Sequence, residues 1–155
     1  MVLDGGVADI SRSRTIAAQP QAIWDLLADF GSLSSWADNV DHSCVTNHGA
    51  GGGPVGTTRR VQLGRNALLE RITEFDPPST LAYDITGLPP RLRRVANRWT
   101  LRPTCGATVV TVTSTVEIGT GPLARVAEPI VGRAMAKQSE AMLAGLAHRL
   151  ENTHA

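Results

Sequence analysis

The sequence predicts an α+β fold, in which one curved seven-stranded antiparallel sheet wraps around a long C-terminal helix, with two short helices after strand 1. Three observations predict it. Six strand-like segments follow one another through residues 39–118, with connections shorter than the roughly dozen residues that a parallel crossover needs. A helical pattern at residues 20–37 follows an earlier strand-like segment at residues 8–18. Residues 121–151 carry apolar side chains at steps of three and four residues.

The N-terminal elements are predicted as one strand and two short helices. Residues 8–18 are rich in β-branched and small polar side chains, which is typical of a strand. Pro20 suits the first turn of a helix, and Gly31 is expected to end that helix. The second short helix carries Leu33 and Trp36.

The six later strands are predicted at residues 39–46, 57–63, 68–75, 80–86, 95–103 and 107–118, with turn-forming residues between them. Between the first two of these strands, Gly51 to Gly56 match the G-x-G-x-x-G pattern of a dinucleotide-binding turn. A predicted strand follows, however, instead of the helix whose N–H groups would hold a pyrophosphate. His48 to Gly51 resemble a lipase oxyanion loop, but the chain has no G-x-S-x-G motif. We therefore interpret residues 48–56 as a flexible loop between strands.

The long C-terminal helix is predicted over residues 121–151. Its inward stripe consists of Leu123, Val126, Ile130, Val131, Ala134, Met135, Gln138, Met142, Leu146 and Leu150. Pro129 falls inside this pattern, so we expect either a kink there or a true start near Ile130. A helix laid over a curved sheet leaves an apolar cavity between the two layers, and such cavities are the usual sites for small molecules.

Length and charge favour a single domain, residues 1–155, without a nucleic-acid partner. The 15 basic and 14 acidic residues give a formal net charge of +1, which provides no electrostatic footprint for nucleic acid. The N-terminus does not resemble a signal peptide, and no apolar run approaches the ~18 residues of a membrane span. We expect a cytoplasmic monomer or homodimer without stable membrane insertion.

The sequence indicates neither a metal site nor a cofactor. Cys44 and Cys105 form no C-x-x-C pair and no disulfide framework. The four histidines lack ligand spacing such as H-E-x-x-H. No pairing of a nucleophile with a general base is recognisable, which leaves open whether the protein is an enzyme.

Strand parity indicates which side chains face the cavity. If residues 64–67 and 76–79 form four-residue hairpin loops, the opposed pairs are Leu63–Leu68, Val61–Glu70, Arg59–Ile72, Phe75–Thr80, Ile72–Tyr83 and Glu70–Ile85. Opposed residues share a face of the sheet. The more apolar face, which should point inward, then collects Arg59, Val61, Leu63, Leu68, Glu70, Ile72, Tyr83 and Ile85.

A polar cluster is predicted within this apolar face. Glu70 lies diagonally from Arg59 and Tyr83, at roughly 7–8 Å between backbones. A carboxylate in an apolar cavity is costly unless it is paired, and Arg59 can supply the partner. We therefore predict an Arg59–Glu70 pair with the Tyr83 hydroxyl nearby. This pair either orients a carbonyl or hydroxyl of a ligand, or lies at the cavity rim and binds only water.

The later strands and the long helix supply the remaining candidate contacts. Val95, Asn97, Trp99 and Leu101 share the inner face, as do Val110, Val112, Ser114 and Val116. Methionines on the helix suit a ligand wall, and they suit plain core packing equally well. The predicted ligand-binding residues are Arg59, Val61, Glu70, Ile72, Tyr83, Ile85, Asn97, Trp99, Val112, Met135, Gln138 and Met142.

Several segments in a fixed order, IWDLLADFGSLSSW, VGTTRRV, LLERITEFDPP, LAYDI and the C-terminal helix, resemble the START/Bet v 1-like (SRPBCC) superfamily. The resemblance covers residues 8–151 and is strongest to the bacterial polyketide cyclase/dehydrase and lipid transport group. It implies a helix-grip fold with a hydrophobic pocket. VGTTRRV and LLER are also similar to strands of plant abscisic acid receptors, which implies that Arg59, Val61 and Glu70 face the ligand. The gate loop of those receptors has no counterpart in LGRNAL.

Two functions are consistent with this interpretation. The first is binding or transport of a hydrophobic small molecule, such as a lipid, an isoprenoid or a polyketide. The alternative is an enzyme of the polyketide cyclase/aromatase type, in which Glu70 acts as general base and Arg59 or Tyr83 stabilises an enolate. A third class, a module that docks a protein partner through the outer sheet face or the helix, stays open.

Overall fold

The computed structural model describes residues 7–88, 92–118 and 122–152, and of residues 122–129 and 152 it describes the backbone alone. The strands are β1 (Val7–Ile16), β2 (His42–Asn47), β3 (Thr58–Leu63), β4 (Asn66–Asp76), β5 (Thr80–Thr86), β6 (Leu92–Thr104) and β7 (Ala107–Ile118). Helix α1 (Pro20–Ala28) and a 3-10 helix (Phe30–Ser35) lie between β1 and β2, and helix α2 (Pro122–Asn152) follows β7. The predicted order of elements is confirmed.

The seven strands form one antiparallel sheet in the order β1-β7-β6-β5-β4-β3-β2. From β2 to β7 each strand pairs with its neighbour in sequence, as short hairpin connections require. β1 pairs with β7 at the far edge, and α2 contacts both of these strands. The predicted fold class, a curved antiparallel sheet with a long helix against it, is therefore confirmed.

The β3–β4 hairpin is tighter than the sequence suggested. Gly64 and Arg65 form a two-residue loop, and Gly64 has a positive φ of 58°, which glycine adopts without strain. The predicted four-residue loop was wrong, as were the pairs Leu63–Leu68, Val61–Glu70 and Arg59–Ile72. The register differs by two residues, so every side chain keeps its predicted face. Arg59 now lies directly opposite Glu70 instead of diagonally.

The β4–β5 pairing confirms two predicted partners and corrects a third. Ile72 lies opposite Tyr83, and Glu70 lies opposite Ile85. An irregularity between Ile72 and Glu74 then shifts the register, so that Phe75 lies opposite Leu81 and not opposite Thr80. An extra residue on one strand of an antiparallel pair produces such a shift, which the length of the turn does not reveal.

The predicted inner face of the sheet forms the core. Buried are Arg59, Val61, Leu68, Glu70, Ile72, Tyr83, Ile85, Val95, Asn97, Trp99, Leu101, Val110, Val112, Ser114 and Val116, while Leu63 is half-buried. α1 and the 3-10 helix add Ile23, Trp24, Leu27, Phe30 and Leu33 to the same cluster. Alternation with period two therefore identified correctly which side of each strand is covered.

Helix α2 packs against the core through its C-terminal part. Its buried apolar side chains are Ala136, Met142, Leu143, Leu146, Ala147 and Leu150. The inward orientation predicted for Ile130 and Ala134 was wrong. Ile130 is 65% exposed, Ala134 is exposed as well, and described α2 side chains are buried only from Ala136 onward. The helix also runs through Pro129, so a start near Ile130 was wrong as well. The predicted contacts of Leu123 and Val126 lie outside the described side chains.

In the parts of the chain that the structure describes, no helix has both the length and the apolar character to cross a membrane.

Candidate functional site

A small cavity lies between the concave face of the sheet and α2. It has a volume of about 90 Å³. Its lining consists of Leu33, Asn39, Val40, Val61, Leu63, Leu68, Glu70, Ile85, Leu88, Asn97, Met135, Gln138 and Met142. Pockets for drug-sized ligands measure roughly 300–1,000 Å³, so the space in this conformation suits a compact molecule.

Seven of the twelve predicted contacts line this cavity: Val61, Glu70, Ile85, Asn97, Met135, Gln138 and Met142. The other five are buried elsewhere on the same face. Arg59, Tyr83 and Trp99 enclose a neighbouring region with no free volume, where Leu27 and Leu33 pack against them. Ile72 and Val112 belong to the solid part of the core. None of these five lines the cavity, since Leu27 of α1 and Leu33 of the 3-10 helix occupy the space beside Arg59, Tyr83 and Trp99. Their role as ligand contacts stays a prediction.

Six lining residues were not among the predicted contacts. Leu63 and Leu68 were on the predicted inner face, so strand parity already contained the signal for them. Asn39 and Val40 were assigned to a strand, but they lie in the connection between the 3-10 helix and β2. Asn39 follows an aspartate, and this pair of turn-forming residues could have moved the predicted strand start. No pattern in the sequence indicated that Leu33 or Leu88 would line the cavity.

The predicted pair of Arg59 and Glu70 is present and buried. The Arg59 Nε and Nη2 atoms donate to Glu70 Oε1 at 2.7 and 2.6 Å, and Nη1 donates to the Phe30 carbonyl at 2.9 Å. The two side chains are only 3% and 7% exposed, which places the pair in the core and away from a solvent-exposed rim. The guanidinium also lies 3.8 Å from the Phe30 ring centroid and 4.8 Å from that of Tyr83. Such contacts favour a cation through the ring quadrupole.

A hydrogen-bonded chain continues from Tyr83. Its hydroxyl accepts from Asn97 Nδ2 at 3.3 Å and from Trp99 Nε1 at 3.1 Å. Asn97 Oδ1 in turn accepts from the Ser114 hydroxyl at 2.6 Å. Burial raises the pKa of Tyr83, and the nearby charge of Glu70 raises it further, against smaller opposing effects of Arg59, Asn97 and Trp99. The phenol therefore stays protonated at neutral pH.

The connection before β2 is attached to α2 beside the cavity. Asn39 Nδ2 donates a hydrogen bond to Gln138 Oε1, which joins the connection to the helix. Farther along α2, Gly145 lies so close to the Trp36 carbonyl oxygen that a β-carbon would overlap it. The Trp36 ring also packs edge-on against Trp99, with centroids 5.9 Å apart. These contacts determine how the helix covers the concave face.

The arrangement can hold an apolar molecule and offer it a few polar groups. The lining combines nine apolar side chains with four polar ones, Asn39, Glu70, Asn97 and Gln138. Among the residues described, no group of histidine, cysteine and acidic side chains could hold a metal ion.

Solved structures with the same fold include proteins of several kinds. A protein of Thermus thermophilus is 21% identical, with a TM-score of 0.76 over 96% of this chain and 100% of its own. The Zhui aromatase/cyclase from Streptomyces sp. R1128 is 16% identical, with a TM-score of 0.80 over 96% of each chain. A START superfamily protein from Mycobacterium smegmatis is 15% identical, with a TM-score of 0.75 over 94% of this chain and 98% of its own. At these identities the similarity shows the fold alone.

Sequence comparison supplies the family. A comparison with curated proteins found no match. The family model for polyketide cyclase / dehydrase and lipid transport matches residues 7–151, which is nearly the whole chain. The chain therefore belongs to the polyketide cyclase/dehydrase and lipid transport family.

Proposed function

We propose that the protein binds a hydrophobic small molecule in the cavity between the sheet and α2. The observation that carries this proposal is the cavity lining, which is apolar except for four polar side chains. Concave, mostly apolar sites with a few placed polar groups are the usual form of small-molecule sites. The family description, which includes lipid transport, supports the same conclusion.

The cavity can adapt to ligands larger than its present volume. Met135 and Met142 of α2 line it, and methionine side chains are unbranched with several rotatable bonds. A change of their rotamers enlarges the space without moving the strands. Lipids, isoprenoids and polyketides are the ligand classes that we propose.

The test begins with native mass spectrometry of freshly purified protein and a thermal-shift panel of fatty acids, isoprenoid alcohols, quinones and aromatic polyketides. A ligand at 100 times its dissociation constant stabilises the folded state by about 2.7 kcal/mol. For a domain of this size, that amounts to a shift of several degrees.

A matched pair of variants locates the binding site. Val61→Phe fills the cavity and should abolish the shift, since Val61 is buried in the lining. Val7→Phe makes the same change at a side chain of β1 that is 54% exposed, and should leave it intact. No shift with any class, or equal loss in both variants, would contradict the proposal.

A second candidate function is polyketide cyclisation or dehydration. It is favoured by Glu70, a carboxylate that lines the cavity beside the protonated Tyr83, and by the similarity in fold to an aromatase/cyclase. In this mechanism Glu70 removes a proton next to a ketone, and the resulting enolate is stabilised by a hydrogen bond. Turnover of an aromatic polyketide precursor that is lost in Glu70→Gln, with ligand binding retained, would support the enzyme. Absence of turnover despite tight binding would exclude it.

A further inference from the structure

The Glu70 carboxylate has one oxygen that the protein leaves without a hydrogen bond. Both donors from Arg59 go to Oε1. Within the described part of the chain, no residue donates to Oε2. Glu70 lines the cavity, so this oxygen provides unused acceptor capacity at the ligand site.

Asn39 adds a second unused acceptor beside the same space. Its Nδ2 is bonded to Gln138, but its Oδ1 is buried without a donor among the described residues. A buried acceptor without a partner destabilises a protein, because it has lost its hydrogen bonds to water and gained none in return. A donor that reaches such an atom recovers part of this free energy, and a ligand hydroxyl is a donor of that kind.

Positive charge is not available to a ligand at this site. The described lining contains no lysine, arginine or histidine. The nearest buried cation, Arg59, directs Nε and Nη2 to Glu70 and Nη1 to the Phe30 carbonyl. An anionic ligand would therefore meet the charge of Glu70 without a free counter-charge, which is unfavourable in an apolar cavity.

We infer that the cavity selects a compact, neutral ligand whose hydroxyl group donates a hydrogen bond to Glu70 Oε2. A phenol, an enol or an alcohol provides such a group. The inference rests on the proposed function and narrows its ligand class. It disfavours carboxylates such as fatty acids. It also disfavours ethers of the same shape, because they lack the proton to donate. With Met135 and Met142 in the rotamers of this structure, the cavity volume of about 90 Å³ favours ligands built on a single ring.

The test compares three probes of nearly equal size: 4-propylphenol, 4-propylanisole and 4-propylbenzoate. Isothermal titration calorimetry at neutral pH gives the affinity of each. Since a hydrogen bond to a charged acceptor is worth a roughly tenfold to hundredfold change in affinity, the phenol should bind tighter than the anisole by that factor. The benzoate should bind more weakly than either.

A matched pair of variants on β4 assigns the effect to one side chain. Glu70→Gln should weaken binding of the phenol roughly tenfold and leave the anisole unchanged, because only the phenol uses the carboxylate. Glu74→Gln makes the same change at an exposed side chain that pairs with Arg98, and should alter neither affinity. If Glu70→Gln does not fold, the double variant Arg59→Met/Glu70→Gln, which leaves no unpaired charge in the core, takes its place and should show the same loss of preference for the phenol over the anisole.

Equal binding of phenol and anisole, tighter binding of benzoate, or no binding of any probe would overturn this inference. The proposed function is judged separately by the wider ligand panel. A positive panel with equal phenol and anisole affinities would retain hydrophobic binding and reject the hydroxyl selection. A flat panel together with three inert probes would reject both.

Discussion

The surroundings of Arg59 in the core replace the water that its guanidinium loses on burial. Glu70, the Phe30 carbonyl and two aromatic rings contact the guanidinium. The cost of burying two charges is offset only when geometry and hydrogen bonding are good, so the pair is not by itself a source of stability. Removing one partner, however, leaves a buried charge without compensation.

Glu70→Leu should lower the free energy of unfolding by about 3–5 kcal/mol, because Arg59 is then buried and unpaired. The double variant Arg59→Met/Glu70→Leu should recover much of this loss, since no charge remains in the core. Urea unfolding of the three proteins measures both values. Glu74→Leu breaks an exposed pair with Arg98 and serves as control, with an expected loss below about 1 kcal/mol. A loss in Glu70→Leu no larger than in this control would contradict the prediction.

Tyr83 is the single tyrosine of the chain, so its ionisation can be followed without interference from other phenols. Burial, followed by the charge of Glu70, raises its pKa above the ordinary value of 10.0. The near-ultraviolet absorbance of tyrosinate should therefore rise at a higher pH in the folded protein than in the protein unfolded by urea. A folded-state midpoint at or below that of the unfolded chain would contradict the assigned burial.

The same shift links Tyr83 to stability at alkaline pH. Below about pH 10 the phenol is protonated in both the folded and the unfolded state, so the contribution of Tyr83 to the free energy of unfolding is fully present. Above that pH the unfolded chain loses the proton first, so this contribution is lost as the pH rises through the folded-state pKa. Tyr83→Phe should therefore show a smaller loss of stability above pH 10 than the wild-type protein, measured by urea unfolding across the pH range.

At the scale of elements, the position of α2 depends on a close approach at one glycine. A β-carbon at Gly145 would overlap the Trp36 carbonyl oxygen, whereas one at Gly132 of the same helix would meet no atom within 4 Å. The helix thus lies close to the connection that carries Trp36 and Asn39. The hydrogen bond from Asn39 to Gln138 joins the same two elements at the cavity, so the shape of the cavity depends on the same approach.

Gly145→Ala should destabilise the protein by about 1–3 kcal/mol, because the added methyl group forces α2 and the connection apart. Gly132→Ala is the matched control and should stabilise it by about 0.4–1 kcal/mol through the higher helix propensity of alanine. Urea unfolding gives both values. Opposite signs are the expected result, and equal effects at the two positions would show that the close approach has no energetic weight.

Local sequence patterns predict which face of each strand is buried, but they do not predict the register between strands. The faces of β3 to β7 were predicted correctly, since alternation is a property of consecutive residues. The β3–β4 loop length and the shift after Ile72 were not, because several loop lengths fit the same turn residues. A two-residue register error preserves the faces, which is why the Arg59–Glu70 pair was found despite the wrong register.

At the scale of the whole molecule, the core joins the helices and every strand except β2. One cluster of buried residues includes Trp24 of α1, Trp99 of β6 and Leu146 of α2. Trp36, between the 3-10 helix and β2, belongs to it as well. We propose that the chain folds as a single domain, in which sheet and helices lose their structure together.

Unfolding should therefore be a single cooperative transition. Tryptophan fluorescence reports on three places in the core, and far-ultraviolet circular dichroism reports on the helices and strands. The two signals should give the same urea midpoint, as expected for a two-state domain. A circular dichroism transition at higher urea than the fluorescence transition would show that part of the fold survives alone, and would contradict the single-domain proposal.

The sequence by itself determined the fold class, the order of the elements and the inner face of each strand from β3 to β7. Those features follow from the period of side chains along a strand or helix and from turn residues, which are local properties. Only the tertiary structure decided which inner residues border open space. Phe30 closes one part of the concave face over Arg59 and Tyr83, and α2 leaves the part beside Glu70 and Asn97 open. That division depends on contacts between residues far apart in the chain, such as Trp36 with Gly145, which no local pattern encodes.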